Sequence, residues 1–268
     1  VPAVRRQKIV ILSIPERHLY LFPARLSPAA LDWVKVLALL AMFVDHINTL
    51  FIHPLSPLMY ALGRMAFPLF TLIWAMNVHG SPGRLQHRAN RLWMWAMVTQ
   101  PAFMLAFRHQ LPVYALNILF VFAGVTQLLA LHHRYGTKGL LKGLLLLAVL
   151  VIPLTPGSFG LPGLMLACSL AVASAPVSPG WRRSAGFLAI ISLACLNGIS
   201  HLLALPVETL LFATLPTLLL PVLAIKVVQQ YTEDDGRRFM PRHFFYIAYA
   251  GHLLLAGLLL SVWMPVRA

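Results

Sequence analysis

Apolar stretches separated by short polar breaks set the pattern of this chain. They fall at about 31–52, 57–78, 91–108, 113–131, 139–154, 158–175, 184–204, 206–228 and 244–263. A helix needs about 20 mostly apolar residues to cross the hydrocarbon of a bilayer. The pattern therefore predicts an all-α, polytopic membrane bundle of about nine transmembrane helices. Pro153, Pro156 and Pro162 interrupt the fifth and sixth stretches, which could become shorter, tilted or re-entrant pieces. Residues 1–30 differ in kind. Arg5, Arg6, Lys8, Arg17 and Arg25 surround short apolar runs that Pro15 and Pro23 break, so this part reads as a basic cytoplasmic tail with interfacial contacts. The expected organisation is a tail over 1–30 and one bundle over 31–268.

Composition narrows the class. Of 268 residues 59% are hydrophobic and 10% charged, and the mean hydropathy is +0.79, which leaves no room for a separate soluble domain. A net charge of +14 would fit nucleic acid, but the cations lie in loops between apolar runs and no nucleic-acid-binding signature occurs, so no such partner is expected. With the N-terminus placed inside, 18 of the 21 Lys and Arg residues fall on the inner side, Arg108 and Arg267 fall outside, and Arg64 alone lies within a span. That asymmetry places the N-terminus in the cytoplasm and, for an odd number of spans, the C-terminus in the periplasm. The N-terminus shows no cleavable signal pattern, so the first span is expected to act as its own insertion signal. Cys168 and Cys195 each sit within an apolar run and are expected as free thiols.

Three ionisable side chains stand out against this background. Asp45 and His46 lie about two-thirds of the way along the first span, and Arg64, after Gly63, lies at similar depth in the second. A charged group near the middle of a spanning helix costs roughly 2.5–3.5 kcal/mol, so such residues face a bundle interior or a wet cavity. Asp45, Asn48 and Thr49 share a helix face. One reading is chemical, with His46 taking a proton from a weak nucleophile, Asp45 orienting it and Arg64 binding a phosphate or a developing oxyanion. The other is architectural, with an Asp45–Arg64 ion pair that fixes helix register and His46 as a hydrogen-bonded packing residue. The residues alone leave both open.

Further polar residues lie along the spans. Asn77, Arg91, Gln100 and Asn117 could converge on the same place or serve as interhelical hydrogen bonds. Asn197 and His201 read as local structure, and Glu208 as a carboxylate suited to a helix N-terminus. In the last span Tyr249 and His252 share a face, with His252 near mid-membrane, while Phe244, Phe245 and Tyr246 read as an interfacial aromatic belt. Glu233, Asp234 and Asp235 read as a solvated loop. No His and Asp cluster has metal-ligand spacing, and no metal is expected.

These residues carry a resemblance to a known family. Lys35 followed by Asp45-His46, Gly63-Arg64 with Ala66-Phe67-Pro68, Asn90-Arg91-Leu92-Trp93 with Gln100, Asn117-Ile118-Leu119-Phe120 with Gln127, and Phe244-Phe245 with Tyr249 and His252-Leu253 resemble the TraX family, the membrane pilin acetylases of F-type conjugative plasmids. The likeness runs from about residue 30 to the end. Ala250-Gly251 departs from it, since many relatives carry a proline shortly before the last histidine. The resemblance implies acetyl transfer from cytoplasmic acetyl-CoA to the N-terminal amine of a pilin subunit at the bacterial inner membrane. It also implies kinship with the wider transmembrane acyltransferases.

The expected roles follow. His46 is the base, Asp45 its orienting partner, Arg64 the oxyanion or pantetheine-arm ligand, and His252 a second polar wall or alternative base. Arg64, Arg91, Asn117, Gln100 and Tyr249 form the expected cofactor-binding set, with Arg91 on the nucleotide phosphates. Acetyl-CoA, a pilin subunit and membrane lipids are the expected partners. Two other classes remain at this point: a proton-coupled transporter lined by Asp45, Arg64 and His252, and a non-catalytic chaperone that docks pilin.

Overall fold

Ser27 starts the first helix by accepting a hydrogen bond from the Ala30 amide at 3.2 Å, with Pro28 preset in the first turn. The computed structural model describes residues 26–79, 82–198, 203–232, 237–241 and 243–263. Helix α1 runs Pro28–Phe51. The same device, Ser56 then Pro57, starts α2 (Pro57–Gly63), which breaks at Arg64 and Met65 before α3 (Ala66–Val78) continues the segment. Pro68 lacks the amide that would continue a helical ladder back across this break. Asn48 fixes the preceding turn: its side-chain oxygen accepts from the Ser56 amide at 2.8 Å, and its Nδ2 donates to the Ser56 carbonyl at 3.1 Å.

A 3₁₀ turn, Pro82–Arg84, leads into α4 (Leu85–Phe107). Helix α5 (Leu119–Leu154) is a hairpin: Gly136 has φ 57° and ψ −135°, and the helix folds back there. Gly143 packs on Leu128, and Gly124 on Leu147 and Leu150, so each contact steps down one arm and up the other. Two antiparallel arms, 119–135 and 137–154, thus occupy the fourth and fifth apolar stretches. Helices α6 (Gly160–Ser174), α7 (Pro179–Cys195), α8 (Pro206–Tyr231) and α9 (Phe244–Trp263) complete the bundle. A π-helical turn at Leu210–Thr214 interrupts α8. Among the described residues there is no strand.

Five segments are long and apolar enough to cross a membrane: Pro28–Phe51, Pro57–Val78, Leu119–Leu154, Pro206–Tyr231 and Phe244–Val262. The chain is a helical membrane protein. Large apolar side chains such as Leu141, Leu145, Val149 and Ile152 point outward, as lipid-facing residues do. Polar ones turn inward and return their hydrogen bonds to their own helix. Thr71 donates to the Phe67 carbonyl, Thr126 to Phe122 and Ser192 to Leu188, which satisfies them without water.

Several expected boundaries shift. The third stretch is helical from Leu85, six residues early, because the polar face of α4 hid its start from hydropathy. The fourth begins at Leu119 and not at 113, since residues 108–118 form a loop. Both cysteines are free and partly buried. The tail residues 1–25, His201 and the acidic run 233–235 lie outside the described residues.

Candidate functional site

The helices enclose a cavity of about 1010 Å³, at the upper end of the size usual for small-molecule sites. It extends along α1 from Lys35 to Thr49, a rise of about 21 Å. Its lining changes character along that length. At one pole stand Lys35, Arg84, His87, Arg88, Arg91 and Arg238, and at the other Asp45, His46, Thr49 and Arg64. Between them lie Phe67, Phe70, Trp74 and Phe122, while Phe103 and Phe107 stand at the His46 end. Asp45 is the only carboxylate on the wall among the described residues.

At the acid-bearing pole, the break between α2 and α3 turns Arg64 toward α1, where its Nη2 donates to Asp45 Oδ1. The Arg64 guanidinium also lies over the Tyr60 ring, 4.2 Å from its centre. Gly63 makes the approach possible: a Cβ there would collide with the Asp45 carboxylate. The Arg64 Nε is buried without a partner.

The His46 ring is not hydrogen-bonded to the Asp45 carboxylate. Its Nδ1 meets Nε2 of His252, from α9, at 2.7 Å, and its ring edge packs on Phe107. The expected Asp45–His46 orientation is therefore replaced by two separate pairs, Asp45 with Arg64 and His46 with His252. Successive helical residues point about 100° apart, so one residue faces α2 and the next faces α9. His252 itself stands behind His46 and does not line the cavity. Among the described residues His46 Nε2 makes no hydrogen bond.

At the basic pole, Arg88 closes the end of α3 by donating to the Asn77 carbonyl and, at 2.9 Å, to that of Val78. Arg91 lines the cavity with its Nε buried and unpaired. Sequence reasoning passed over Asp32. It is fully buried, binds Lys35 Nζ at 2.7 Å, and accepts the amides of Phe239 and Met240 at 3.2 and 3.1 Å. It thereby pins the segment that contributes Arg238, Met240 and Pro241 to the cavity wall. The only sequence signal was the spacing of Asp32 and Lys35, three apart on one helix face.

Two of the expected cofactor ligands do not reach the cavity. Gln100 Nε2 donates to the Ala115 carbonyl at 2.7 Å, its Oε1 accepts from the Asn117 amide and side chain, and Asn117 Nδ2 also donates to the Ala96 carbonyl. Asn117 is fully buried. Both secure the loop that delivers Ile118 and Leu119 to the wall. Ser158 adds a bond to the Leu116 carbonyl at 2.7 Å. Tyr249 and Arg91 do line the cavity. Asn197 donates to Thr217 Oγ1 at 3.0 Å and does not itself line the cavity, and Glu208 sits in the first turn of α8. The expected interfacial belt is overturned in part. Phe245 and Tyr246 line the cavity, Tyr246 stacking on Trp95 with centres 5.2 Å apart, while Phe244 is exposed.

The family model described as TraX protein matches residues 30–260. The chain belongs to the TraX family. It is 36% identical to Protein TraX of Escherichia coli over 235 residues, which covers 87% of this chain and 88% of that relative. It is 33% identical over 234 residues to Protein TraX of Escherichia coli strain K12, with the same coverage. No solved structure matches it. The TraX match spans both poles of the cavity, from Lys35 to His252.

Proposed function

We propose that this protein is a membrane-embedded acetyltransferase that moves an acetyl group from cytoplasmic acetyl-CoA to the N-terminal amine of a conjugative pilin subunit. One observation carries the reading: a single cavity joins a cluster of cations at one pole to an imidazole with a free nitrogen at the other. Lys35, Arg84, Arg91 and Arg238 suit a ligand with several phosphates. The aromatic middle suits an uncharged pantetheine arm. Membership of the TraX family supports the same substrate class. In this reading the bundle lies in the bacterial inner membrane with nine crossings, the two arms of α5 counting separately, the N-terminus in the cytoplasm and the C-terminus in the periplasm. The basic pole then faces the cytoplasm and His46 the periplasmic half.

The chemistry is direct transfer. The amine nitrogen attacks the thioester carbonyl carbon, and His46 Nε2 takes the proton the nitrogen must lose. Arg64 holds the negative charge that develops on the carbonyl oxygen, and Asp45 fixes Arg64 in place for it. When the C–S bond breaks, the thiolate leaves and takes the proton from His46, which returns the imidazole to its starting state. No acyl-enzyme is needed. Arg91 and Arg238 hold the nucleotide phosphates. Membranes carrying the protein, given acetyl-labelled acetyl-CoA and pilin, should transfer label to the pilin N-terminus, and those carrying His46→Ala should not. A protein that only transported or docked pilin would change its location and leave its mass unaltered.

A further inference from the structure

The contact between His46 and His252 has a direction, and a carbonyl sets it. His252 Nδ1 lies 2.9 Å from the Ala248 carbonyl, one turn earlier on α9. A carbonyl oxygen can only accept, so His252 Nδ1 carries a hydrogen. In a neutral ring the other nitrogen, Nε2, is then a bare acceptor. It faces His46 Nδ1 at 2.7 Å, so the hydrogen in that contact belongs to His46 Nδ1. In a neutral His46 this leaves Nε2 as the bare, basic nitrogen.

The ring geometry favours a bond of this kind. The ring planes are within 14° of parallel and their centres lie 4.9 Å apart. An imidazole nitrogen lies about 1.2 Å from its ring centre, so nitrogens meeting head-on at this separation would put the centres about 5 Å apart. The rings thus meet edge to edge along the line of the hydrogen bond, and not face to face. Three aromatic rings flank the pair: Phe43 lies 4.7 Å and Tyr249 5.7 Å from the His252 ring centre, and Phe107 5.4 Å from that of His46. Among the described residues neither ring is hydrogen-bonded to a carboxylate.

We propose that His252 is a positioning residue that fixes His46 in the Nδ1–H tautomer, through the relay Ala248 carbonyl, His252, His46. This rests on the reading of His46 as the base. Free histidine in water favours the opposite tautomer, with hydrogen on Nε2, which would point a donor at the substrate and leave no base. A buried carboxylate commonly does this orienting work. Here a second imidazole does it, anchored by main chain, and Asp45 is left to serve Arg64. When His46 Nε2 gains a proton, the Nδ1–H stays bonded to His252 Nε2, which stabilises the imidazolium as a neutral acceptor.

Nitrogen-15 NMR of the detergent-solubilised full chain, labelled at histidine and held where both rings are neutral, reads the tautomer without substrate. His46 is assigned from the signals lost in His46→Ala. Wild-type protein should show a protonated Nδ1 and a bare Nε2 on His46. His252→Leu should return His46 toward the Nε2–H form and lower kcat for acetyl transfer about tenfold or more, with KM for acetyl-CoA unchanged. His252→Gln, whose side-chain oxygen can accept from Nδ1, should keep the wild-type tautomer and more of the rate than the leucine variant. A bare Nδ1 on wild-type His46, or a His46 tautomer indifferent to His252→Leu, overturns the proposal even if transfer is intact. A wild-type protein with the expected tautomer and no transfer to pilin supports the relay and overturns the acetyltransferase reading instead.

Discussion

The two poles of the cavity are built on opposite principles. Around Asp45 and His46 the groups are matched in pairs, carboxylate to guanidinium and imidazole to imidazole, so that one ring nitrogen is left over. At the other pole cations outnumber their partners. Lys35 has Asp32, but Arg84, Arg91 and Arg238 have no carboxylate partner among the described residues. Like charges crowded at one end of a cavity repel one another and attract anions, so a matched pole is already organised for its task and an unmatched one is suited to an anionic ligand. The contrast separates residues that should govern rate from residues that should govern binding.

The sharpest way to break the contrast is His46→Ala. Removing a positioned base should lower acetyl transfer by about 10²–10⁴-fold. Acetyl-CoA binding, read by isothermal titration or by displacement of a fluorescent analogue, should hardly change. Loss of binding instead would merge the two poles. Next comes Gly63→Ala, which places a methyl group against the Asp45 carboxylate and should spoil the Arg64 pairing. Transfer should fall by about 10²-fold through kcat, a loss comparable to that of one oxyanion donor. Arg91→Ala should act on the other axis. It should raise KM for acetyl-CoA about tenfold, as expected for one charge-assisted hydrogen bond, with kcat kept.

Asp32→Asn sharpens the comparison further. Lys35 loses its counter-charge and the Phe239 and Met240 amides keep a weaker acceptor, so the 237–241 segment should loosen. A few-fold rise in KM is expected, with easier proteolysis near Arg238 as the independent readout. The smallest effect belongs to Gln100→Ala. Interhelical hydrogen bonds in membrane proteins average about 0.6 kcal/mol, so thermal stability should drop slightly while KM stays put. A KM shift as large as that of Arg91→Ala would return Gln100 to the cofactor site.

These differences explain which parts could be read from sequence. Hydropathy carried the helices, because lipid and bundle interior both select apolar residues and the longest apolar runs reach the length of a bilayer crossing. Asp45 and Arg64 were legible as a pair because their spans are consecutive and antiparallel, which sets equal depth by counting. The meeting of His46 with His252 was not legible: 206 residues separate them, and nothing local says that α9 comes to stand beside α1. Gln100 and Asn117 misled for a related reason. An amide that closes a loop and one that binds a ligand look alike until the loop is seen. The hairpin at Gly136 lies within a polar run from His132 to Lys138, and that run marked a break between stretches without showing how tight the turn is.

The central claim is that the free nitrogen of His46 meets an acyl donor drawn in by the basic pole. Intact-mass measurement of pilin purified from cells with the wild-type protein, with His46→Ala and with no protein addresses it most directly. Pilin from wild-type cells should be heavier by one acetyl group at its N-terminus, and pilin from the other two should match each other. Equal pilin masses in all three, or full acetylation with His46→Ala, would contradict the claim.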